Sequence, residues 1–152
     1  MTSSPIALVL FNSIRIRKDI WRDDFLEGFP DRLTLLDAML LAHEITHVWQ
    51  WQNRDLTGYH PIKAAREHQM SVDPYLIDPN TKSNFLDHGY EQQGTIVEEY
   101  VCCKALDPDA PRTERLRKMI AEVMPVDRLD ALIDRPLVRL PWRGVEPRGI
   151  CR

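Results

Sequence analysis

Thr34-Leu-Leu-Asp-Ala-Met-Leu-Leu-Ala-His-Glu-Ile-Thr-His-Val-Trp-Gln-Trp-Gln-Asn53 is the stretch on which the fold turns. Its apolar residues fall at 35, 36, 39, 40, 41, 45, 48, 49 and 51, a helical pattern that leaves little of the circumference polar. The spacing predicts a long, largely buried helix over 34–53. Thr34 with Asp37 three residues on resembles a capping box at its start.

Around this helix the chain reads as a mainly α, α+β domain. Residues 6–11 form a buried-strand run and 14–17 alternate apolar and basic positions, so one or two strands open the fold. Residues 54–88 are polar and rich in Pro, Asp and Asn, with Pro61, Pro74, Pro79, Asn80 and Asn84 among them, and read as connecting structure with one helical piece over 61–70. A second long helix is expected over 89–106, closed by Asp107-Pro108. A third runs from Pro111 to Met124, a short fourth covers 127–134, and an irregular tail follows from Pro136. No internal repeat or low-complexity tract interrupts this order.

The 152 residues make one domain, 1–152, and are too few for two ordinary cores. A hydrophobic share of 43% with 28% charged residues is that of a globular chain. Twenty basic against 23 acidic residues give a net charge of −3, without the basic excess of a dedicated nucleic-acid binder. Residues 1–111 carry 10 basic and 17 acidic groups and residues 112–152 carry 10 and 6, so a basic tail follows an acidic body. The longest apolar runs, 6–11 and 38–42, fall far short of the ~18–20 residues of a membrane span. The first is also too short, and lacks the basic flank, for a signal peptide. Synthesis and folding in the cytoplasm are therefore expected. Cys102, Cys103 and Cys151 contain no CxxC pair and are expected to be reduced thiols.

His43-Glu44-Ile-Thr-His47 places an HExxH pattern inside the long helix. Four residues apart, His43 and His47 are separated by ~40° and ~6 Å along the axis, so both imidazoles can reach one ion. Glu44, ~100° round from His43, stands beside such an ion and is placed to take a proton from a water that zinc activates. The bland alternative is a pair of satisfied core histidines, but buried ring nitrogens without a ligand need other partners.

A catalytic zinc needs a third protein ligand and an open fourth position. A third histidine six residues after His47 is excluded, because position 53 is Asn. Glu91, Gly94, Thr95 and Glu98 fall within ~100° on the second helix, a polar stripe among Ile96, Val97, Tyr100 and Val101. Gly94 costs that helix ~1 kcal/mol relative to Ala, and close approach to the HExxH helix would give it a packing reason. Glu91 is the expected third ligand and Glu98, seven residues on, the competitor. The two differ by ~10.5 Å along the axis, so only one can reach the ion.

These residues carry a resemblance. His43–His47 with Glu91-Gln-Gln-Gly94 resembles the HExxH…ExxA arrangement of gluzincin metallopeptidases, in which the first Glu of the second motif is the zinc ligand. More narrowly, Leu41-Ala-His-Glu-Ile-Thr-His-Val-Trp-Gln50, Asp73-Pro-Tyr-Leu and Phe85-Leu-Asp-His-Gly-Tyr-Glu-Gln-Gln-Gly-Thr-Ile-Val-Glu-Glu-Tyr100 resemble the Vgr-related metallopeptidases. Those are similar to the metallopeptidase-like core domain of contractile injection systems. The resemblance spans about residues 12–104. It implies a minimal gluzincin domain, with a small N-terminal sheet covering the HExxH helix and an edge strand at 14–17 aligning an extended peptide. It departs from the pattern at Gly94, where Ala is usual, and at Thr95, where many gluzincins carry an Asp that orients a ligating His.

The resulting expectation is a zinc metallopeptidase acting on a peptide or protein substrate, with Glu44 catalytic and His43, His47 and Glu91 on the metal. One alternative is a non-catalytic zinc-holding module that binds a secretion-system partner. Another is an enzyme confined to one dedicated target. His60, His68, His88, Tyr59, Tyr75 and Tyr90 are further candidates for holding substrate or an oxyanion, among which the sequence does not choose. Trp49 and Trp51 read as core, and Cys102 lies too far along its helix to share the ion.

Overall fold

The computed structural model describes residues 6–78, 83–134, 136–144 and 146–152; Pro79 and Asn80, read above as connecting structure, lie outside this set. Strand β1 (Ala7–Leu10) pairs antiparallel with β2 (Ser13–Ile16), Leu10 opposite Ser13. Phe11 and Asn12 make the turn, with Phe11 in the left-handed region at φ 58°. That turn is docked rather than free. The Phe11 ring meets Trp51 at 4.8 Å, and Gln52 Nε2 donates to Asn12 Oδ1 at 3.2 Å. The expected small N-terminal sheet is thus a hairpin laid along the HExxH helix. Among the described residues β2 pairs only with β1, which leaves its other edge open.

Strand β3 (Arg32–Thr34) runs directly into helix α1 (Leu35–Gln52), one residue inside the expected limits at each end. The capping box is a correction. Thr34 has extended backbone that closes β3 and makes no side-chain cap bond, while Asp37 pairs with Arg22 at 3.5 Å. The buried positions of α1 are Leu35 and Ala38 and then His43, Glu44, Thr46, His47 and Gln50, so its inward stripe changes from apolar to polar along its length. Trp49 is half-buried and packs edge-on against Phe85. Trp51 is half-buried at the hairpin turn, with the Arg54 guanidinium over its ring.

A short turn of helix α2 (Arg54–Thr57) leads to α3 (Pro61–Met70), where Pro61 begins the helix as its sequence suggests. Helix α4 (Tyr90–Leu106) packs antiparallel on α1. Helices α5 (Pro111–Ala121) and α6 (Val126–Leu132) then cover its far side. The main core gathers Phe85, Ile96, Tyr100, Leu116, Ile120 and Val126 between α4 and these helices. A second, smaller cluster of Leu33, Leu35, Ala38 and Val101 fills the end where α1 begins and α4 finishes. No described helix is long and apolar enough to cross a membrane.

Two expectations for the tail are overturned. Residues expected to be irregular include strand β4 (Leu137–Arg139), which pairs in parallel with β3, Leu137 opposite Arg32. Three residues flanked by prolines carry too short a pattern to be read as a strand, and their partner lies a hundred residues upstream. Nor are all three thiols reduced. Cys103 and Cys151 form a disulfide, both within the main core, and Cys102 alone is free. Asp107 Oδ2 holds the approach by accepting from the backbone N–H of Gly149 at 2.9 Å and of Cys151 at 3.4 Å.

The bond spans 48 residues of sequence, a closure that chain entropy values at about 4 kcal/mol. Cys151→Ser should therefore lower the unfolding free energy by about that amount in urea titrations without reductant. A loss below ~1 kcal/mol would show that the bond does not restrain the unfolded chain.

Candidate metal centre

The polar stripe of α1 faces the first three turns of α4, and the two helices bring three side chains to one point. Glu91 Oε2 lies 3.2 Å from His43 Nε2 and 3.3 Å from His47 Nε2, and the two Nε2 atoms are 3.2 Å apart. This group can hold a metal ion. In a tetrahedron with bonds of ~2.0–2.1 Å, neighbouring ligand atoms are about 3.3–3.4 Å apart, so the triangle already has the size that such an ion needs. Both histidines are 6% exposed, which removes water as the partner of their ring nitrogens.

Gly94 explains how α4 comes this close. A Cβ at that position would stand 2.8 Å from both Cε1 and Nε2 of His43. The imidazole could yield only by leaving the position from which it meets Glu91. The close helix approach expected to explain this glycine is thus a contact of its backbone with the His43 ring.

Glu98 takes the supporting role. Its Oε2 lies 3.1 Å from His43 Nδ1, on the side of the ring opposite Glu91. A carboxylate there accepts the Nδ1 proton and leaves Nε2 to face the ion. Thr95, at the place where the resemblance implied an orienting Asp, instead donates to the carbonyl of Glu91 at 3.1 Å. A carboxylate able to orient the His43 ring thus stands one helical turn further on, at Glu98.

The charges sort the carboxyl groups by role. Burial alone would raise Glu91, but the hydrogen bond from His43 and the proximity of His47 outweigh it and hold the group at about 2. Burial likewise opposes charge on His43, yet its hydrogen bonds to Glu91 and then Glu98 raise the imidazole to about 9. Glu44, 7% exposed, is raised by burial, with His43 and His47 only partly offsetting the effect. A carboxyl held near 2 is a weak proton acceptor, and a raised one beside it is a better base.

The structure also separates the remaining candidates. Tyr75 places its ring 5.8 Å from His43 while staying 42% exposed, and its hydroxyl lies 3.1 Å from His68 Nε2. Its loop is pinned to α4 where Gln92 Nε2 donates to the Leu76 carbonyl at 2.6 Å. Tyr59 is buried and stacks on His47 at 6.1 Å. Burial, followed by the Glu91 and Glu44 charges, pushes both phenols up to about 12, so both stay protonated at neutral pH. Tyr90 donates to the Gly58 carbonyl, and His60 accepts from the Ile62 N–H at the start of α3, so neither joins the ligand triangle. His88 takes part only through its backbone carbonyl, which accepts from Gln93 Nε2 at 2.8 Å. Cys102 is half-buried, with its thiol pushed up by burial, and is not in the ligand group.

Two buried residues were given no role from sequence. Gln50 and Gln93 are 0% and 2% exposed, and they lie behind His47. The available signal was position: Gln50 follows His47 by three residues and so shares its face. Comparison of the chain with protein-family profiles, with curated proteins and with solved structures gives no match.

Metal affinity measured by chelator competition should separate these roles. Glu91→Ala should lose more than the ~10–100-fold typical of residues behind the ligands, whereas Glu98→Ala and Gly94→Ala should fall within that range. A larger loss in Glu98→Ala than in Glu91→Ala would reverse the assignment. Because His43 holds its proton up to about 9, an ion must displace it. Affinity should rise ~10-fold per pH unit between 7 and 8 and level off above 9, with about one proton released per ion at pH 7. Calorimetric titration in buffers of different ionisation heat would count that proton.

Proposed function

We propose that the chain is a zinc-dependent hydrolase of peptide or amide bonds, of gluzincin type. The observation that supports this most directly is the triangle of His43 Nε2, His47 Nε2 and Glu91 Oε2, with edges of 3.2–3.3 Å, beside a buried carboxyl that is not part of it. Two imidazoles and one carboxylate are the donor set of open, four-coordinate zinc sites, and no thiolate, which would favour a closed structural site, enters the group. Zinc held by His43, His47 and Glu91 would supply Lewis-acid polarisation of the scissile carbonyl and of the attacking water.

The chain's own residues supply the remaining steps. Glu44 takes the proton of the attacking water on its carboxylate and passes it to the leaving amine, a task suited to a carboxyl raised by burial. Tyr75, protonated and partly exposed at the rim, donates its hydroxyl to the oxygen on which negative charge develops, with His68 fixing that hydroxyl from the other side. The open edge of β2 offers backbone groups to an extended peptide.

Glu44→Gln should leave folding and zinc content nearly unchanged and reduce hydrolysis by ~10²-fold or more, while His43→Ala and His47→Ala should lose the metal. Products from a mixed peptide library, followed by mass spectrometry alongside elemental analysis, would read both effects. If Glu44→Gln lost zinc as readily as the histidine variants, Glu44 would be a ligand. If the zinc-loaded wild type cleaved nothing, the site would instead belong to a zinc-holding module, such as one bound to a secretion-system partner.

A further inference from the structure

His43 and His47 meet the same point but are supported in different ways, and the difference lies in two buried glutamines. Behind His43 stands a carboxylate. Behind His47 stands the Gln50 side chain, whose Oε1 is 2.8 Å from Nδ1. Gln50 Nε2 donates to the Tyr90 carbonyl at 2.9 Å and to Gln93 Oε1 at 3.0 Å, and Gln93 Nε2 donates to the His88 carbonyl at 2.8 Å.

The direction of every bond in this series is forced. Backbone carbonyls only accept, so Tyr90 and His88 require an amide NH₂ from Gln50 and Gln93 respectively. With each amide's orientation fixed in this way, the atom turned to the next partner is its oxygen. Gln93 presents Oε1 to Gln50, and Gln50 presents Oε1 to His47 Nδ1. An amide oxygen cannot donate, so Nδ1 must carry a proton, and in the neutral ring the lone pair is left on Nε2, the atom that faces Glu91 and His43. With both glutamines closed off from water, no solvent molecule can replace a lost partner at low cost.

We infer that Gln50 and Gln93 are positioning residues that set the His47 tautomer and fix it to the N-terminal turn of α4. Tyr90 and His88, whose carbonyls anchor the series, flank the start of the helix that delivers Glu91. A shift of that turn therefore moves Glu91 and the support of His47 together, and the two ligands reach the ion as a unit. This inference rests on reading His47 as a metal ligand. It adds a neutral amide support for His47 beside the anionic support that Glu98 gives His43.

The test combines ring spectroscopy with zinc titration on the full chain. In wild type stripped of metal at pH 8, long-range proton–nitrogen correlation should place the His47 proton on Nδ1, and exchange of that proton should be slow. Gln50→Met keeps length and packing volume but removes the acceptor, so it should give a mixed or reversed tautomer and a ~10–100-fold loss of zinc affinity. Gln93→Met touches neither ligand and leaves Gln50 one anchor. It should show the same changes in smaller degree, and it serves if Gln50→Met does not fold. A wild-type proton on Nε2, or an unchanged tautomer and zinc affinity in a folded Gln50→Met or Gln93→Met, would overturn the inference. If wild type refused zinc while the ring proton sat on Nδ1, the hydrolase reading would fail and the tautomer assignment would stand.

Discussion

Everything at the site depends on how closely α4 can lie against α1. Helices in contact ordinarily keep side chains between them, at axial separations of about 8–10 Å. Here the contact passes through Gly94, where an added Cβ would stand 2.8 Å from the His43 ring. The glycine costs α4 about 1 kcal/mol in propensity, a penalty that only tertiary contact can offset. In return, one turn before it, Glu91 reaches between two imidazoles, and one turn after it, Glu98 comes behind the first. Because the helices run antiparallel, a single approach distance sets the whole series of contacts, from Glu98 on His43 at one end to Gln50 on Tyr90 at the other.

Such a concentration of ionisable groups is expensive unless each charge finds a partner, since an unpaired charge out of water costs several kcal/mol. The opposite shifts of Glu91 and His43 show that each stabilises the other's charged form against its own burial. A divalent ion held by His43, His47 and Glu91 would replace the His43 proton with a larger charge. The triangle is thus arranged for positive charge before any ion arrives. Glu44 stands outside this exchange. Its burial raises it instead of pairing it, in contrast to Glu91, which His43 holds in its charged form.

Much of this was legible because it is periodic. The four-residue spacing of His43 and His47, the stripe of Glu91, Gly94 and Glu98, and the prolines at 61 and 111 act through helical geometry, and that geometry held to within a few residues. What escaped was non-periodic or distant. The disulfide joins residues whose proximity depends on the packing of the whole tail, and β4 finds its partner in a strand that opens the fold's central helix. The placement of Tyr75 beside His43 depends on a loop that Gln92 pins to α4, a contact with no signature in spacing. Gln50 and Gln93 look like ordinary polar helix positions until burial removes water as their partner.

The tail then completes the constraint from the other end. Where α1 begins and α4 finishes, the contacts are apolar: Leu33, Leu35, Ala38 and Val101, with Val138 and Leu140 of the tail packed on them. The same segment pairs through β4 with β3, which is continuous with α1, and ends in a covalent bond to Cys103 on α4. One strap therefore joins the start of one ligand-bearing helix to the end of the other. At the opposite end the glutamine series joins them again through hydrogen bonds. With both ends tied, sliding of α4 along α1 is resisted on either side of the metal-facing residues. That is the motion that would separate Glu91 from the two imidazoles without unfolding either helix. Tyr75, partly exposed with its ring 5.8 Å from His43, borders the triangle that these two ties hold together.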